Sequence, residues 1–109
     1  VKTLAQIFCG YVFLLGAIPV HAAEEAVQLQ LGKTLFTKTA VPACGLCHTL
    51  KDANAEGAVG PVLDEIKPDT ARIIKALQNG IGQMPSYKAS LSDAQMQAIA
   101  DYVAKAASN

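Results

Sequence analysis

The sequence has 109 residues, the length of a single domain. Lys and Arg number 9 and Asp and Glu number 9, so no cationic surplus points to nucleic acid as a partner. Half the residues are hydrophobic with no Trp, and Ala, Leu, Ile and Val carry that content, which leans the chain towards helix.

Residues 1–22 read as a secretory signal. Lys2 supplies the positive start, Leu4 to Val20 is apolar or small apart from Gln6, and Val20-His21-Ala22 offers small residues for cleavage after Ala22. The competing reading is an uncleaved anchor, because the apolar run nearly reaches a membrane-spanning length. The immediate switch to Ala23-Glu24-Glu25 favours cleavage. Residues 23–109 then form one domain, with no stable membrane span and acids exceeding bases by one, since only Lys2 is lost. A helical domain of that size buries a thin core and needs a metal, disulfide or cofactor to hold it.

In chain order, Glu24 to Thr37 is helical. Val27, Leu31 and Leu35 recur every four residues, with Gly32 and Phe36 on an adjacent stripe. Pro42 suits the first turn of a short helix carrying Ala43 to Thr49. Residues 52–62 read as loop, punctuated by Gly57, Gly60 and Pro61. Asp69 caps a helix running to about Asn79, with Ile73, Ile74 and Leu77 inward and Gly80 stopping it. Residues 80–90 form a second loop. Ser92 and Gln95 are a capping-box signature for a last helix with Met96, Ile99 and Val103 on one face and Ala98, Tyr102 and Ala106 beside it. No convincing alternating strand appears, and the fold class is all-α.

The decisive motif is Cys44-Gly45-Leu46-Cys47-His48. Two thiols three residues apart on a helical turn both reach the vinyl groups of one haem, and the following His48 meets the iron from the same side. Two other chemistries use such a pair. A thiol–disulfide oxidoreductase places it at a helix N-terminus with a depressed thiol pKa, but its βαβ sheet needs strands that are not evident. Structural zinc wants four ligands, and after loss of His21 no further Cys or His remains.

A haem iron held by His48 needs a sixth ligand, and the domain has no second His. Met84 sits in the Gly- and Pro-bracketed loop, where Pro85 holds the backbone extended, and is the candidate. Met96 falls on the apolar face of the last helix and reads as a core methionine. The free ring N–H of His48 requires a backbone acceptor to fix the tautomer, and the Pro61 carbonyl is the candidate. The expected metal ligands are His48 and Met84, against the plainer reading of Met84 as a loop methionine filling a gap. The haem site adds Cys44, Cys47 and Pro61, with Leu46, Leu63, Ile81 and Tyr87 as walls.

Residues 23–109 resemble the class I c-type cytochromes. The resemblance rests on Gly32 and Phe36 opposite Tyr102, the Cys44–His48 motif, Gly60-Pro61-Val62-Leu63 and Met84-Pro85. It implies about four short helices wrapped around one haem c, attached through two thioethers. The glycine that often closely follows the leucine of the Gly-Pro segment is absent here. A narrower similarity, through Leu31-Gly32-Lys33-Thr34-Leu35-Phe36 and Asn79-Gly80-Ile81-Gly82-Gln83-Met84-Pro85, is to small cytochromes that serve periplasmic sulfite dehydrogenases. It implies a periplasmic carrier of single electrons that takes them from a molybdenum enzyme and passes them to a terminal oxidase or another cytochrome. No catalytic cluster is visible, so the chain is read as an electron carrier and not an enzyme. A haem peroxidase or sensor is the alternative, requiring a displaceable sixth ligand. The near-neutral charge gives weak steering, so docking relies on an apolar patch round the haem edge.

Overall fold

The computed structural model describes Gly10, Val12 and residues 14–109. Much of the expected leader, residues 1–9, 11 and 13, lies outside the described residues. Four helices are described: α1 (Val20–Thr34), α2 (Leu63–Ile66), α3 (Thr70–Asn79) and α4 (Asp93–Ser108). None of them is long and apolar enough to cross a membrane.

The scaffold is α1 crossed against α4, its most extensive helix pair, with α3 packed on α4. Gly32 makes the crossing possible. A Cβ there would overlap the Ala98 carbonyl oxygen and the Tyr102 Cβ, so only a bare backbone lets the two helices approach this closely. Phe36 then meets Tyr102 edge to face, with ring centroids 6.0 Å apart at 67°.

That contact also corrects the expected inner face of α1. Val27 and Leu31 are exposed, whereas Gly32, Leu35 and Phe36 are buried. The chain widens into a π turn over Leu35–Thr39, which carries Leu35 and Phe36 into the core beyond the end of the regular helix. Phe36, Leu35, Leu50, Leu77, Met96 and Ile99 are the largest fully buried side chains.

The later helix ends follow their sequence signals. Asp69 accepts a hydrogen bond from the Arg72 amide at 2.8 Å, and α3 stops at Gly80, whose φ is 68°. Ser92 Oγ accepts from the Gln95 amide at 3.1 Å while Gln95 Oε1 accepts from the Ser92 amide at 2.9 Å. Each cap of this kind is worth about 1 kcal/mol.

The segment after Pro42 differs from the expected helix over Ala43–Thr49. It makes one 3₁₀ turn, Cys44–Leu46, in which the Cys47 and His48 amides both donate to the Cys44 carbonyl at 3.1 and 3.0 Å. The chain then leaves the turn to form a hairpin, β1 (Thr49–Leu50) against antiparallel β2 (Ala55–Glu56), with Thr49 opposite Glu56. Strands of two residues leave no alternation to read. Their connection turns through Asn54 at φ 50°, a conformation Asn tolerates well.

Candidate functional site

The 3₁₀ turn has three residues per turn, so Cys44 and Cys47 share one face. Both thiols are free, and both line a cavity of about 310 Å³ together with His48, Gly60, Pro61, Met84 and Tyr87. A second, almost wholly apolar cavity of about 140 Å³ shares Cys44, His48, Pro61, Ile81 and Met84 with the first. It reaches inward to Leu63, Leu77, Ile99 and Val103.

The loop after the hairpin is laid directly on the motif. The Gly60 amide donates to the Cys47 carbonyl at 2.7 Å. A Cβ at Gly60 would stand 2.5 Å from His48 Cε1, so this position must be bare for the imidazole to sit where it does. His48 Nδ1 lies 2.8 Å from the Pro61 carbonyl oxygen. That oxygen can only accept, so Nδ1 carries the ring proton and Nε2 keeps its lone pair. An imidazole held in this tautomer is a metal ligand in waiting.

Met84 is half-buried and lines both cavities, whereas Met96 is 2% exposed in the core and lines neither. The loop bearing Met84 is shaped by a reciprocal pair of backbone bonds between Ile81 and Met84, 3.0 and 2.9 Å. The five predicted site residues, Cys44, Cys47, His48, Pro61 and Met84, therefore all line one cavity. Of the expected walls, Leu63, Ile81 and Tyr87 are in place. Leu46 is not: it is 69% exposed and lines neither cavity, because the turn that faces both cysteines inward sends Leu46 out.

Several lining residues were not singled out from the sequence. Arg72 is the one charged side chain that lines the inner cavity. It shares a helix face with Ala76, a spacing that was available to sequence reading. Pro42, expected to open a helix, and Val59, which precedes Gly60-Pro61, also border the outer cavity.

The Cys pair does not fit thiol exchange. Burial pushes the Cys44 thiol up to about 11, the opposite of the depressed value that makes a reactive thiolate. The only sheet among the described residues is a two-residue hairpin. The site fits a different occupant: a large, flat, mostly apolar group with a metal at its centre, flanked by two thiols on one edge, an oriented imidazole and a thioether.

Residues 27–103 match the family described as cytochrome c oxidase, cbb3-type, subunit III. The chain belongs to the class I c-type cytochromes. Cytochrome c6 of Synechocystis sp. is 33% identical over 108 residues, covering 89% of this chain and 77% of the relative. The c-type cytochrome SorU from Sinorhizobium meliloti superposes with a TM-score of 0.73 at 48% identity, over 75% of this chain and 93% of that one. The cytochrome thus carries one covalently attached haem c and works as an electron carrier. Its fold is the expected one, with the small hairpin added.

Proposed function

We propose that this cytochrome is an exported, periplasmic carrier of single electrons, with the leader removed after Ala22. In this reading Cys44 and Cys47 would hold the haem through thioethers, His48 and Met84 would ligate its iron, and Pro61 would fix the His48 tautomer. The observation that carries it is the His48 Nδ1 to Pro61 carbonyl bond of 2.8 Å, made at the wall of a cavity that Met84 also lines. When bound, haem supplies the one-electron couple.

The chain's own residues set the conditions for that couple. Apolar Leu63, Ile99 and Val103 exclude water, and a thioether and an imidazole as the iron's ligands would raise the potential relative to harder ligand sets. The outer cavity has no acidic, Lys or Arg lining residue. Val41, Val59 and Ile81, all more than 60% exposed, line the cavity or adjoin its lining residues in the chain and support an apolar docking rim. Electron transfer to a partner should therefore change little with ionic strength.

The proposed donor is a molybdenum sulfite dehydrogenase, and the acceptor a terminal oxidase or another cytochrome. The Leu31–Phe36 and Asn79–Pro85 segments support this narrower assignment. Two measurements test the whole. The chain is expressed with c-type maturation machinery, and haem should stay with the polypeptide after acid denaturation, with a far-red sulfur–iron band in the oxidised native protein. The purified protein is then mixed with a sulfite dehydrogenase and sulfite. Rapid reduction supports the assignment, and none at partner excess removes it while leaving the carrier reading intact.

A further inference from the structure

The loop that bears Met84 is tied mostly to its own neighbourhood. The Tyr87 amide donates to the Leu77 carbonyl at 2.7 Å, and Ser86 Oγ donates to the Gln78 carbonyl. The Ser90 and Leu91 amides return to the Tyr87 carbonyl. All of these join the loop to itself or to the end of α3. Among the described residues, one hydrogen bond leaves the loop for the haem-attachment segment: Tyr87 Oη donates to the Pro42 carbonyl at 2.6 Å, across 45 residues of chain.

The two partners meet at the wall of the outer cavity. Pro42 stands two residues before Cys44, Tyr87 three residues after Met84, and both line that cavity. Tyr87 is 4% exposed, so its hydroxyl has little water to fall back on while the loop is closed. From this geometry we infer that Tyr87 is a positioning residue: its hydroxyl is a clasp that holds the Met84 loop shut over the haem edge and sets how readily the sixth iron position exchanges its ligand. The inference rests on the reading of Met84 as that ligand.

The reasoning is one of linked equilibria. An external ligand reaches the iron only when Met84 withdraws, and withdrawal draws the 81–87 segment away from Pro42. The clasp exists in the closed state and not in the open one, so it weights the closed state by its own net strength. A single buried hydrogen bond makes that weight about two- to tenfold. The aromatic ring, by contrast, fills the wall of the closed state with or without its hydroxyl.

Tyr87→Phe keeps the ring and removes only the hydroxyl, and it is compared with the parent as haem-loaded protein. The readout is imidazole binding to the oxidised form, followed by loss of the far-red sulfur–iron band. The variant should bind imidazole about two- to tenfold more tightly, with a faster limiting rate of ligand entry. Leu91→Ala serves as a second variant, since it loosens buried packing just after the loop without touching the hydroxyl. It should lower the melting temperature while leaving imidazole affinity near the parent's. Equal imidazole affinity in Tyr87→Phe and parent, with the band intact in both, overturns the clasp. So does an equal rise in Leu91→Ala, which would make the effect one of general stability. A parent that lacks the band altogether instead refutes Met84 as the ligand.

Discussion

His48 Nδ1 and the Pro61 carbonyl oxygen, thirteen residues apart in the chain, stand 2.8 Å from one another. Gly60 is what permits this, because its backbone passes where any side chain would strike the ring. An alanine Cβ would lie 2.5 Å from Cε1 and 2.9 Å from Nδ1. Gly60→Ala should therefore tilt the imidazole off the Pro61 carbonyl and cost about 1–3 kcal/mol. The check is haem bound per chain together with the melting temperature. Full haem loading with unchanged stability would show that the loop yields freely, contrary to the close fit described.

The two methionines should separate cleanly. Met84→Ala should abolish the far-red sulfur–iron band, lower the reduction potential and admit external ligands, with a modest loss of stability. Met96→Ala should leave the spectrum as it is and cost about 2–5 kcal/mol in unfolding, the usual result of emptying a core site. Redox titration and denaturant melts of both variants decide the matter. The reverse pattern would transfer the axial role to Met96.

Much of this was legible in the sequence because the signals are local. Asp69, Gly80 and the Ser92–Gln95 pair fix helix ends within one turn of themselves, and the Cys44–His48 spacing fixes two thiols and an imidazole on one turn. What was not legible depends on contacts far along the chain. The α1 pattern alone does not say which stripe meets α4; the bare Gly32 against Ala98 decides it, and Val27 and Leu31 are left outside. Leu46 looked like a cavity wall by composition, but a turn of three residues per cycle cannot present both cysteines and Leu46 to one side. The Tyr87–Pro42 bond spans 45 residues, and no local rule reports it.

Acid sensitivity should centre on Asp52. The Tyr102 hydroxyl donates to Asp52 Oδ2 at 2.6 Å and Lys33 Nζ approaches the same oxygen at 3.1 Å. The hydroxyl first and the ammonium second hold its carboxyl below the usual carboxylate range. A lowered folded-state value means the stabilisation is present above the unfolded pKa of about 3.9 and is lost as pH falls through the folded one. Asp52 is half-exposed, so solvent screening limits the ion pair and leaves about 1 kcal/mol, most of it from the hydroxyl bond. Tyr102→Phe should accordingly be less stable than the parent at pH 7 by about that amount, with the gap closing below about pH 4. Burial, then Asp52, also raises the Tyr102 phenol, and burial raises that of Tyr87, so the parent should lose stability as pH climbs past about 10 and the Phe variant, which keeps only Tyr87, should lose less. Melting curves across pH test both limbs, and a pH-independent gap would sever Asp52 from Tyr102.

Shortly after the Gly-Pro segment the backbone turns left-handed at a residue that is not glycine. At the end of α2, Lys67 turns left-handed with φ 43° and ψ 60°, donating its amide to the Leu63 carbonyl at 2.9 Å. A side chain in that conformation costs about 1–2 kcal/mol, which glycine avoids. Glycine's added freedom in the unfolded chain takes back about 0.4–1 kcal/mol. Lys67 is exposed, so its side chain contributes little packing to weigh against the change. Lys67→Gly should thus stabilise the cytochrome by about 0.5–1 kcal/mol, a rise of about 2–6 °C in melting temperature. Lys67→Ala retains the Cβ and should leave the melting temperature near the parent's. An equal rise in both variants would trace the gain to removal of the lysine charge and not to relief of the turn.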